Sequence, residues 1–554
     1  MAATIRYYDL DSDNQSLISL FTDGQVSDLS DVSDNTFSAQ FLFENYITPN
    51  FVSFDGNGID LKEKNKKFYS AGDYAGLISA DVSDGECQLN GFNLKLSGTG
   101  TGDMLNLKKG ITLTFYGNCC AKIYAMYRNE NTEAFLEEEI EVGREIFNFI
   151  PSMPFSSLEL YFTKTVLPYQ SIKISDVKIG NINVLDKLQS IELLEEINPL
   201  SSDLPINSLN FTAIINNGCE IKNDSPVTVY NNRKYYGTFY IDETERIANN
   251  IYSVKSLNCI KKMDDTDFLG TTAFETTADE LVTGVVNGSK VPIEFEDGFS
   301  GYNIIGWLPK CNNRYALCSI GWAIGGMIDG SRLSGKLKIK KIPTSITSVI
   351  KTSSKRIIGN AIFNRSKVIT SAEWEKHNYS EQPASANKTL FTFSVGTAPD
   401  DGYYGVFYFD KPTKINQING GNRTIALETP SILEIIMNDG DYEFIGSEYV
   451  DEIMQDVIYN NRILKHSNEN VQKFNEFTVY GKNLDVSKRE HIKKYIESEG
   501  TVKAKIRLQN EKVGDLIQIE TAYDGMVTGI ITSMNISLGY EDIADIEVLE
   551  WQNG

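Results

Sequence analysis

Histidine is the side chain that most often does acid–base chemistry near neutral pH, and this 554-residue chain contains three. His377, His466 and His491 lie in polar stretches, and none belongs to an HExxH motif or to the spacing of a catalytic triad. We therefore expect all three at the surface and predict no catalytic residue. The 75 Asp and Glu residues make chance pairs inevitable, so a glycosidase pair of carboxylates cannot be chosen from the sequence.

Metal and thiol chemistry has little support. Seven cysteines are spaced irregularly: Cys87, Cys119, Cys120, Cys219, Cys259, Cys311 and Cys318. They form no CxxC pair, so they indicate neither a zinc site nor a redox motif, and they are typical of a protein folded in a reducing cytoplasm. DLDSDN (9–14) resembles the start of a calcium loop, but Asn14 and Leu20 replace the Gly and Glu that such a loop needs. We predict no metal and no cofactor.

Binding loops are the next possibility. SGTGTGD (97–103) lacks the spacing of a phosphate-binding loop and is interpreted as a turn between strands. FDGNGID (54–60) and VSDGE (82–86) are Asp/Gly turns of the kind that hold Ca²⁺ or sugar in some jelly rolls. Four tyrosines could stack against a sugar, although core packing explains them equally well: Tyr74, Tyr116, Tyr124 and Tyr127.

The charge balance restricts the partners. With 52 basic and 75 acidic residues the net charge is -23, which repels phosphate backbones, so we expect no nucleic acid partner. No stretch approaches the ~20 apolar residues of a membrane span, so we expect no membrane insertion. The start, MAATIRYYDLDSD, has no basic region followed by an apolar core and does not resemble a signal peptide. Synthesis in the bacterial cytoplasm fits these features, and if the protein ends up outside the cell, release by lysis fits them too.

The elements that must position any site are mostly strands. Aromatic residues make up 11% of the chain, a composition that favours strands over helices. In 50–182, short strands such as ITLTFYG (111–117) and AKIYAMY (121–127) are separated by turn residues, which predicts a sandwich or jelly roll. The fold class we predict is mainly β with minor α (α+β), in several domains.

The rest of the chain contains some segments with the pattern of strands and others with the spacing of helices. Strands are predicted at 209–215, 227–230, 235–241, 251–257, 336–342, 391–395, 403–409, 502–508, 516–520, 526–532 and 544–550, and the alternation is clean at 502–508. Helical spacing or caps predict helices at 277–288, 313–328, 447–464 and 485–500, the last ended by Gly500. Pro199 and Pro205 discourage a helix near 183–200 and indicate a boundary there.

Several stretches resemble tail structural proteins of phages that infect clostridia and related bacteria. They are TVLPYQSIKISDVKIGN (165–181), SIELLEEINPLSSDLPINSLNFTAIINN (190–217), and the segments 232–270, 308–342 and 513–551. The second stretch is similar to the most characteristic one of that family. Asn258 stands where the family often has Asp. The resemblance covers 165–554, carries no catalytic signature, and leaves the first 48 residues unmatched.

We expect four domains. Residues 1–48 are acidic and rich in Ser and Asp, a composition that indicates an N-terminal arm. The resemblance implies a galactose-binding-like jelly roll (49–185), a hub-like β-barrel domain with helices (186–345), and a mixed α/β domain ending in a small β-barrel (346–554). It also implies a virion structural protein. The particle would be a phage, a phage-tail-like bacteriocin or another contractile injection system. Its position would be the baseplate, either in the hub or connecting the tail to receptor-binding parts.

Three functions remain open on the sequence. The first is a baseplate structural protein, with other baseplate and tail proteins as partners and a homo-oligomer, trimer or hexamer, as its state. The second is a receptor-binding protein that attaches to the host through surface glycans bound by the jelly roll. The third is a wall hydrolase, for which the sequence offers no site. We predict a protein that is not an enzyme.

Overall fold

The computed structural model describes short segments between residues 21 and 97 and the following ranges: 3–9, 110–115, 117–129, 132–179, 181–185, 187–215, 221–231, 234–296, 298–332, 337–384, 387–399, 401–462, 470–474, 477–481 and 485–551. The protein is mainly β with minor α, as predicted. It divides into two compact units. The N-terminal unit comprises 5–185 and 216–227, and the C-terminal unit comprises 1–4, 186–215 and 228–554.

The N-terminal unit is built on two five-stranded antiparallel sheets, ordered β13–β10–β15–β8–β7 and β12–β11–β14–β9–β4. Its strands are β1 (Thr4–Asp9), β2 (Phe21–Thr22), β3 (Gln25–Val26), β4 (Ser38–Phe43), β5 (Ser53–Phe54), β6 (Asn57–Gly58), β7 (Tyr69–Ala71), β8 (Tyr74–Ile78), β9 (Phe92–Ser97), β10 (Ile111–Phe115), β11 (Cys120–Asn129), β12 (Ala134–Glu141), β13 (Ile146–Phe149), β14 (Ser157–Thr165), β15 (Lys173–Ile179) and β16 (Asn181–Leu185).

The core of this unit lies between the two sheets. All five residues of β10 are buried, and alternate residues of β11 and β14 point into the same core. Phe115 and Phe162, from different sheets, meet edge to face at 6.1 Å. The predicted strands are confirmed at Ile111–Phe115 and within Cys120–Asn129, where they lie in the two facing sheets of a β-sandwich.

The C-terminal unit contains the remaining elements. Its strands are β17 (Leu188–Glu196), β18 (Ser208–Ile214), β19 (Pro226–Asn231), β20 (Lys234–Ala248), β21 (Ile251–Leu257), β22 (Asp267–Phe268), β23 (Thr271–Thr277), β24 (Ile293–Phe295), β25 (Asn303–Leu308), β26 (Cys311–Asn312), β27 (Met327–Asp329), β28 (Leu337–Lys340), β29 (Ser348–Ile350), β30 (Ile362–Arg365), β31 (Ser371–Pro383), β32 (Lys388–Val395), β33 (Tyr403–Tyr408), β34 (Thr413–Asn419), β35 (Arg423–Glu428), β36 (Ile432–Met437), β37 (Gly440–Tyr459), β38 (Val471–Lys473), β39 (Val479–Gly481), β40 (Gly500–Arg507), β41 (Leu516–Glu520), β42 (Met526–Ser537) and β43 (Ile543–Glu550). Its helices are α1 (Ile260–Asp264), α2 (Ala278–Ser289), α3 (Asn313–Ile324) and α4 (Asp485–Ile496), with a 3₁₀ turn at Thr352–Ser354.

A large sheet forms the base of this unit, in the order β20–β21–β18–β17–β42–β43–β40–β30. β41 pairs with β42, and β29 pairs with β41 in parallel. In β40 the predicted inward residues Val502, Ala504 and Ile506 are buried, while Lys503 and Lys505 are exposed. Regular alternation therefore placed this strand correctly, because one face of the sheet is covered.

Capping residues define where the helices begin and end. Thr277 and Glu280 form a reciprocal capping box at the start of α2, which confirms the predicted cap. Asn312 caps α3, and that helix ends at Ile324, before the predicted limit, because Gly325 adopts a left-handed φ of 67°. Within the described residues, no helix combines the length and the apolar character needed to cross a membrane.

The predicted helix at 447–464 is wrong, because residues 447–459 belong to β37. β37 pairs along its length with β31 and β32, and β34 pairs with its first half. Val450, Ile453 and Met454 have helical spacing, yet all three are exposed rather than buried on one face. Pairing with a strand distant in the sequence outweighs the local pattern. Gly500, predicted as the end of α4, instead begins β40.

Candidate functional site

Two of the three histidines are not at the surface, so that prediction is wrong for them. His377 on β31 is 11% exposed, and its Nδ1 lies 2.7 Å from Asp451 Oδ2 on β37. His491 on α4 is half-buried, and burial, helped by the charge of Lys494, lowers its pKa to about 4. Cross-strand and helix packing, which polar neighbours in sequence do not reveal, account for both placements. His466 lies outside the described residues.

Most of the sequence-predicted ligand residues are not brought together. The segments 9–14 and 97–103 lie almost wholly outside the described residues, as do the side chains of Tyr74 and Tyr116. Tyr127 is fully buried against Phe155, so it packs in the core and cannot stack on a sugar. The hydroxyl of Tyr124 donates to Glu137 on the neighbouring strand.

The described cysteines are unpaired by disulfides, and burial keeps several of them protonated. The six described cysteines are free thiols. Burial raises the pKa of Cys259, Cys311 and Cys318 to about 12, so these thiols stay protonated and weakly nucleophilic at neutral pH. No group of three or more His, Cys, Asp or Glu side chains in the described residues could hold a metal ion.

Four loops meet at one end of the N-terminal sandwich and border an open cavity of about 560 Å³, here called the rim groove. The loops are 83–88, 117–119, 142–145 and 166–170. Polar and charged groups of the lining come from Glu86, Asn118, Glu141 and Lys164, and apolar groups come from Cys87, Ala121, Val142 and Val166. Its volume lies within the range of small-molecule sites, about 300–1,000 Å³.

Buried hydroxyls hold these loops together. Ser83 and Thr165 are each 1% exposed, and their hydroxyl oxygens lie 2.7 Å apart. Thr165 Oγ1 also donates to the Leu167 carbonyl at 2.7 Å, and the Gln170 N–H donates to Ser83 Oγ at 3.1 Å. The loops 83–88 and 166–170 are therefore fixed to each other, and the groove between them is preformed.

Asp84, the acid of the predicted 82–86 turn, has a structural task. Its carboxylate accepts the backbone N–H of Glu86 and of Gln88, each at 2.9 Å. This is the hydrogen bonding of an Asx turn. The carboxylate is therefore engaged in shaping the loop. The acids that line the groove are Glu86 and Glu141, and the Glu141 carboxylate lies 3.3 Å from the Lys122 ammonium.

Each of the four loops contains one residue with left-handed backbone: Cys87, Gly117, Gly143 and Tyr169. Bulky side chains rarely adopt this conformation. Tyr169, at φ 57°, nevertheless keeps its side chain 73% exposed, and its hydroxyl lies beside Gly85 at the edge of the groove. In the sequence Tyr169 belongs to the Pro-Tyr step of the stretch 165–181 that resembles phage tail proteins, and its exposure and backbone conformation are seen only in the structure.

A second candidate lies on the C-terminal unit. The three-stranded sheet β33–β36–β35 exposes alternate residues of β33, namely Tyr404 (53%), Val406 (37%) and Tyr408 (61%), here called the tyrosine face. The Tyr404 hydroxyl donates to Glu434 on β36. The Lys310 ammonium lies 4.8 Å from the centre of the Tyr408 ring. Alternate strand residues are about 7 Å apart, so the face forms a continuous aromatic and aliphatic row.

A buried ion pair lies in the interior of the C-terminal unit. Arg332 Nε is 3.1 Å from Glu195 Oε2, and both side chains are at most 2% exposed. The Tyr236 ring faces the guanidinium at 5.4 Å, and its hydroxyl donates to Asp542. Burial raises the pKa of Glu195, while the charge of Arg332 opposes this. These groups are inaccessible, so we assign them to stability rather than to a site.

No family model matches the chain, and no curated protein matches its sequence. Solved structures do match. A tail protein of Neisseria meningitidis MC58 is 9% identical with a TM-score of 0.42, over 67% of this chain and 94% of that one. A 43 kDa tail protein of prophage MuSo2 from Shewanella oneidensis is 10% identical with a TM-score of 0.40, over 66% and 96%. The phage P2 baseplate matches at 9% identity and a TM-score of 0.25, over 69% and 93%. These structural neighbours are phage tail and baseplate proteins. At such identities and TM-scores, the likeness gives no information about this chain's own partners.

Proposed function

We propose that the protein is a non-enzymatic structural component of a phage tail or phage-tail-like particle, located in the baseplate. It connects the tail to receptor-binding parts or forms part of the hub. The sequence resemblance of residues 165–554 to tail proteins suggests this setting. The observation that carries the proposal is the tyrosine face, a row of large apolar side chains left exposed on an otherwise acidic chain.

The tyrosine face has the composition of an interface centre. Tyrosine is enriched among the residues whose truncation weakens protein–protein binding most, and charged residues are depleted at such centres. Glu434, the acid next to the face, is already engaged by Tyr404. A subunit with net charge -23 associates more readily where like charges are few, and on this face the neighbouring Glu434 already accepts a hydrogen bond from Tyr404.

The partner we assign to the tyrosine face is a second copy of this chain within a cyclic homo-oligomer, a trimer or a hexamer. Closed rings are the usual way in which identical subunits assemble. A stable interface buries about 800 Å² on each partner, so the three side chains form only its centre. Further contacts with other baseplate and tail proteins, including receptor-binding proteins, complete the particle. The proposal includes no nucleic acid and no membrane insertion.

Light scattering on the purified full-length chain tests this assignment. We expect a trimeric or hexameric mass, and we expect Tyr404→Ser combined with Tyr408→Ser to shift it toward monomer. The matched control is Tyr523→Ser combined with Tyr540→Ser, because those tyrosines are 83% and 88% exposed but lie in loops between strands. Equal loss of oligomer in both double variants, or no loss in either, would contradict the role of the tyrosine face.

A second candidate function is recognition of host-surface glycans by the N-terminal unit, which the rim groove favours. To separate the structural role from glycan recognition, we would compare the binding of host cells by the full-length chain and by a chain with substitutions in the rim groove. If the structural role is the whole function, the altered chain still assembles and host attachment does not change. If the chain also attaches to the host, the altered chain assembles but binds cells less.

A further inference from the structure

We propose that each copy of this chain adds its strand β33 to an open edge of the strand β37 in the next copy, so that two strands pair across the subunit boundary. The open edge comprises residues 450–456 of β37 and is here called the β37 edge. This inference rests on the proposed function, because it starts from a cyclic homo-oligomer and names the surface that receives the tyrosine face. All the residues that it uses belong to the C-terminal unit.

A closed ring of three or more identical subunits sets a requirement on each copy. Every copy must carry two different surfaces that fit each other, because a surface that pairs with itself produces a two-fold dimer. The tyrosine face on β33 supplies one of these surfaces. The other must lie elsewhere on the same chain, and its centre must also expose apolar side chains.

The β37 edge exposes such side chains. Val450, Ile453 and Met454 are 52%, 56% and 52% exposed. Successive strand residues point to opposite faces, so Val450 and Met454 project from one face and Ile453 projects from the other. Apolar atoms are therefore exposed on both faces of the same strand, and exposed apolar clusters mark sites of protein–protein contact.

The backbone hydrogen bonds on either side of β37 show that one side of this edge is open. The Glu448 carbonyl accepts from the Ala384 N–H on the side of β31, and the Tyr449 N–H donates to the Pro412 carbonyl on the other side, each at 3.0 Å. β34 ends its pairing with β37 at Glu448, whereas β31 continues as far as Tyr459. In the described part of the chain, no strand replaces β34 beyond that point.

The open side presents backbone groups in a regular series. Hydrogen-bonding groups alternate along an antiparallel strand, so the N–H and C=O groups of Asp451, Ile453 and Gln455 point to this side. The next group in the series is the Val457 carbonyl, which accepts from Arg489 Nη2 at 3.5 Å and so ends the open stretch. An open edge with exposed apolar side chains is a template for a strand of another chain.

β33 has the properties of the strand that pairs there. It pairs with β36 and stands at the end of its three-stranded sheet, so among the described strands it has no partner on its outer side. It also exposes apolar groups on both faces, because Tyr403 (40%) points opposite to the tyrosine face. When two such edges pair, each satisfies the backbone groups of the other, and their side chains become cross-strand neighbours.

The acids of the β37 edge are mostly compensated within each copy, which allows two acidic chains to approach. His377 Nδ1 lies 2.7 Å from Asp451 Oδ2. Asp456 pairs with Lys376 at 3.1 Å and also with Arg489. The local repulsion between copies is therefore smaller than the net charge of -23 suggests.

The remaining charges near the two edges have opposite signs. Glu452 is exposed on the β37 edge, and no ion pair engages it in the described residues. At the Tyr408 end of β33, the Lys310 ammonium lies 4.8 Å from the ring centre and 2.8 Å from Asp267. An exposed carboxylate on one surface and an ammonium on the other favour contact between these two edges.

Sedimentation velocity on mixed full-length variants tests the head-to-tail arrangement. The face variant carries Tyr404→Ser and Tyr408→Ser, and the edge variant carries Ile453→Thr and Met454→Thr. Threonine keeps the strand preference of the edge while it removes apolar bulk. Circular dichroism melting checks that each variant is folded.

A matched control carries Val349→Thr and Met526→Thr. These side chains are 47% and 43% exposed on other strands of the same unit. The control should keep the oligomeric mass of the unaltered chain, because neither residue lies on β33 or on the β37 edge.

We expect the face variant and the edge variant each to sediment as a monomer. Mixed one to one, they should form a particle of twice the monomer mass. In that particle the intact β33 of the edge variant meets the intact β37 edge of the face variant, and no further copy can be added.

Amide hydrogen exchange read by mass spectrometry tests the strand pairing itself. In the mixed particle, exchange should slow in residues 403–408 of the edge variant and in residues 450–456 of the face variant, relative to the two monomers. The substitutions give the two chains peptides of different mass, so each segment is read separately.

Three results would overturn the inference while the proposed homo-oligomer stands. The first is an edge variant that keeps the oligomer when the face variant loses it. The second is a mixture that stays monomeric, and the third is a mixed particle without slowed exchange in both segments. A monomeric unaltered chain would contradict the inference and the proposed homo-oligomer together, so the two failures are distinguishable.

Discussion

Acidification should destabilise the C-terminal unit through His491. In the folded chain its pKa is about 4, whereas the ordinary value in an unfolded chain is 6.5. A histidine with a depressed folded pKa binds its proton more readily when unfolded, so its contribution to stability is fully present above pH 6.5. That contribution falls progressively as the pH drops from 6.5 toward 4.

The magnitude follows from the shift. The pKa of His491 differs by about 2.5 units between the folded and the unfolded chain. This difference corresponds to about 3.4 kcal/mol of lost unfolding free energy when the pH lies below both pKa values. At pH 5 the linkage relation gives a loss of about 2 kcal/mol relative to pH 7. Lys494, whose charge adds to the effect of burial, accounts for a smaller share. Glu195 and Asp515 have raised pKa values and gain stability on acidification, so only a comparison between variants isolates His491.

Urea unfolding followed by tryptophan fluorescence provides the assay. All four tryptophans belong to the C-terminal unit, namely Trp307, Trp322, Trp374 and Trp551, so their emission reports that unit alone. His491→Phe keeps a ring of similar shape but cannot titrate.

We expect the pH 7 to pH 5 loss of stability to be about 2 kcal/mol smaller in His491→Phe, and reduced by a lesser amount in Lys494→Gln. Equal pH dependence in the unaltered chain and His491→Phe would refute the reasoning.

Two further predictions concern the interior and the helices. Arg332→Met should destabilise the C-terminal unit by about 3–5 kcal/mol, because it leaves the Glu195 carboxylate buried without a partner. Adding Glu195→Leu to Arg332→Met should recover much of the lost free energy of unfolding in the same urea assay. If nothing is recovered, the unpaired Glu195 carboxylate is not the cause of the loss. Thr277→Ala should lower the free energy of unfolding by about 1 kcal/mol, because it removes the capping box of α2. Thr283→Ala, on the exposed side of the same helix, should lower it less. Thermal melting of both variants measures the difference.

Much of the fold could be predicted from local patterns. The strand at 502–508 alternates cleanly, and in 251–257 the alternate residues Val254 and Ser256 are buried, because one face of their sheet is covered. α2 could be located from Thr277 and Glu280, since a capping box is a signal within one turn. Such features need no knowledge of distant contacts.

The remainder depends on contacts that are distant in sequence. The apolar residues of 447–464 have helical spacing, and only pairing with β31 and β32 makes the segment a strand. Glu195 and Arg332 are 137 residues apart, so no local pattern could join them. His377 is buried through its contact with Asp451, which lies 74 residues later. Polar neighbours in sequence suggested the opposite placement.

The sequence indicated the two candidate surfaces only in part: the turn 82–86 was named as a candidate and supplies Gly85 and Glu86 to the rim groove, but neither surface as a whole was predicted. Tyr404, Val406 and Tyr408 form a regular alternation that predicts a strand, but alternation does not tell which face is covered. Tyr169 is distinguished by its backbone conformation and its exposure, and neither is visible in the sequence. Both surfaces therefore had to be found in three dimensions.

The central claim is that this chain is a structural part of a tail or tail-like particle. Cryo-electron microscopy of intact particles purified from the producing strain, with the copies of this chain counted in each baseplate, tests it most directly. The account predicts density for the chain in every baseplate, with three copies around the axis for a hub or six at the periphery for a connector. Complete absence of the chain from the purified particles would contradict it.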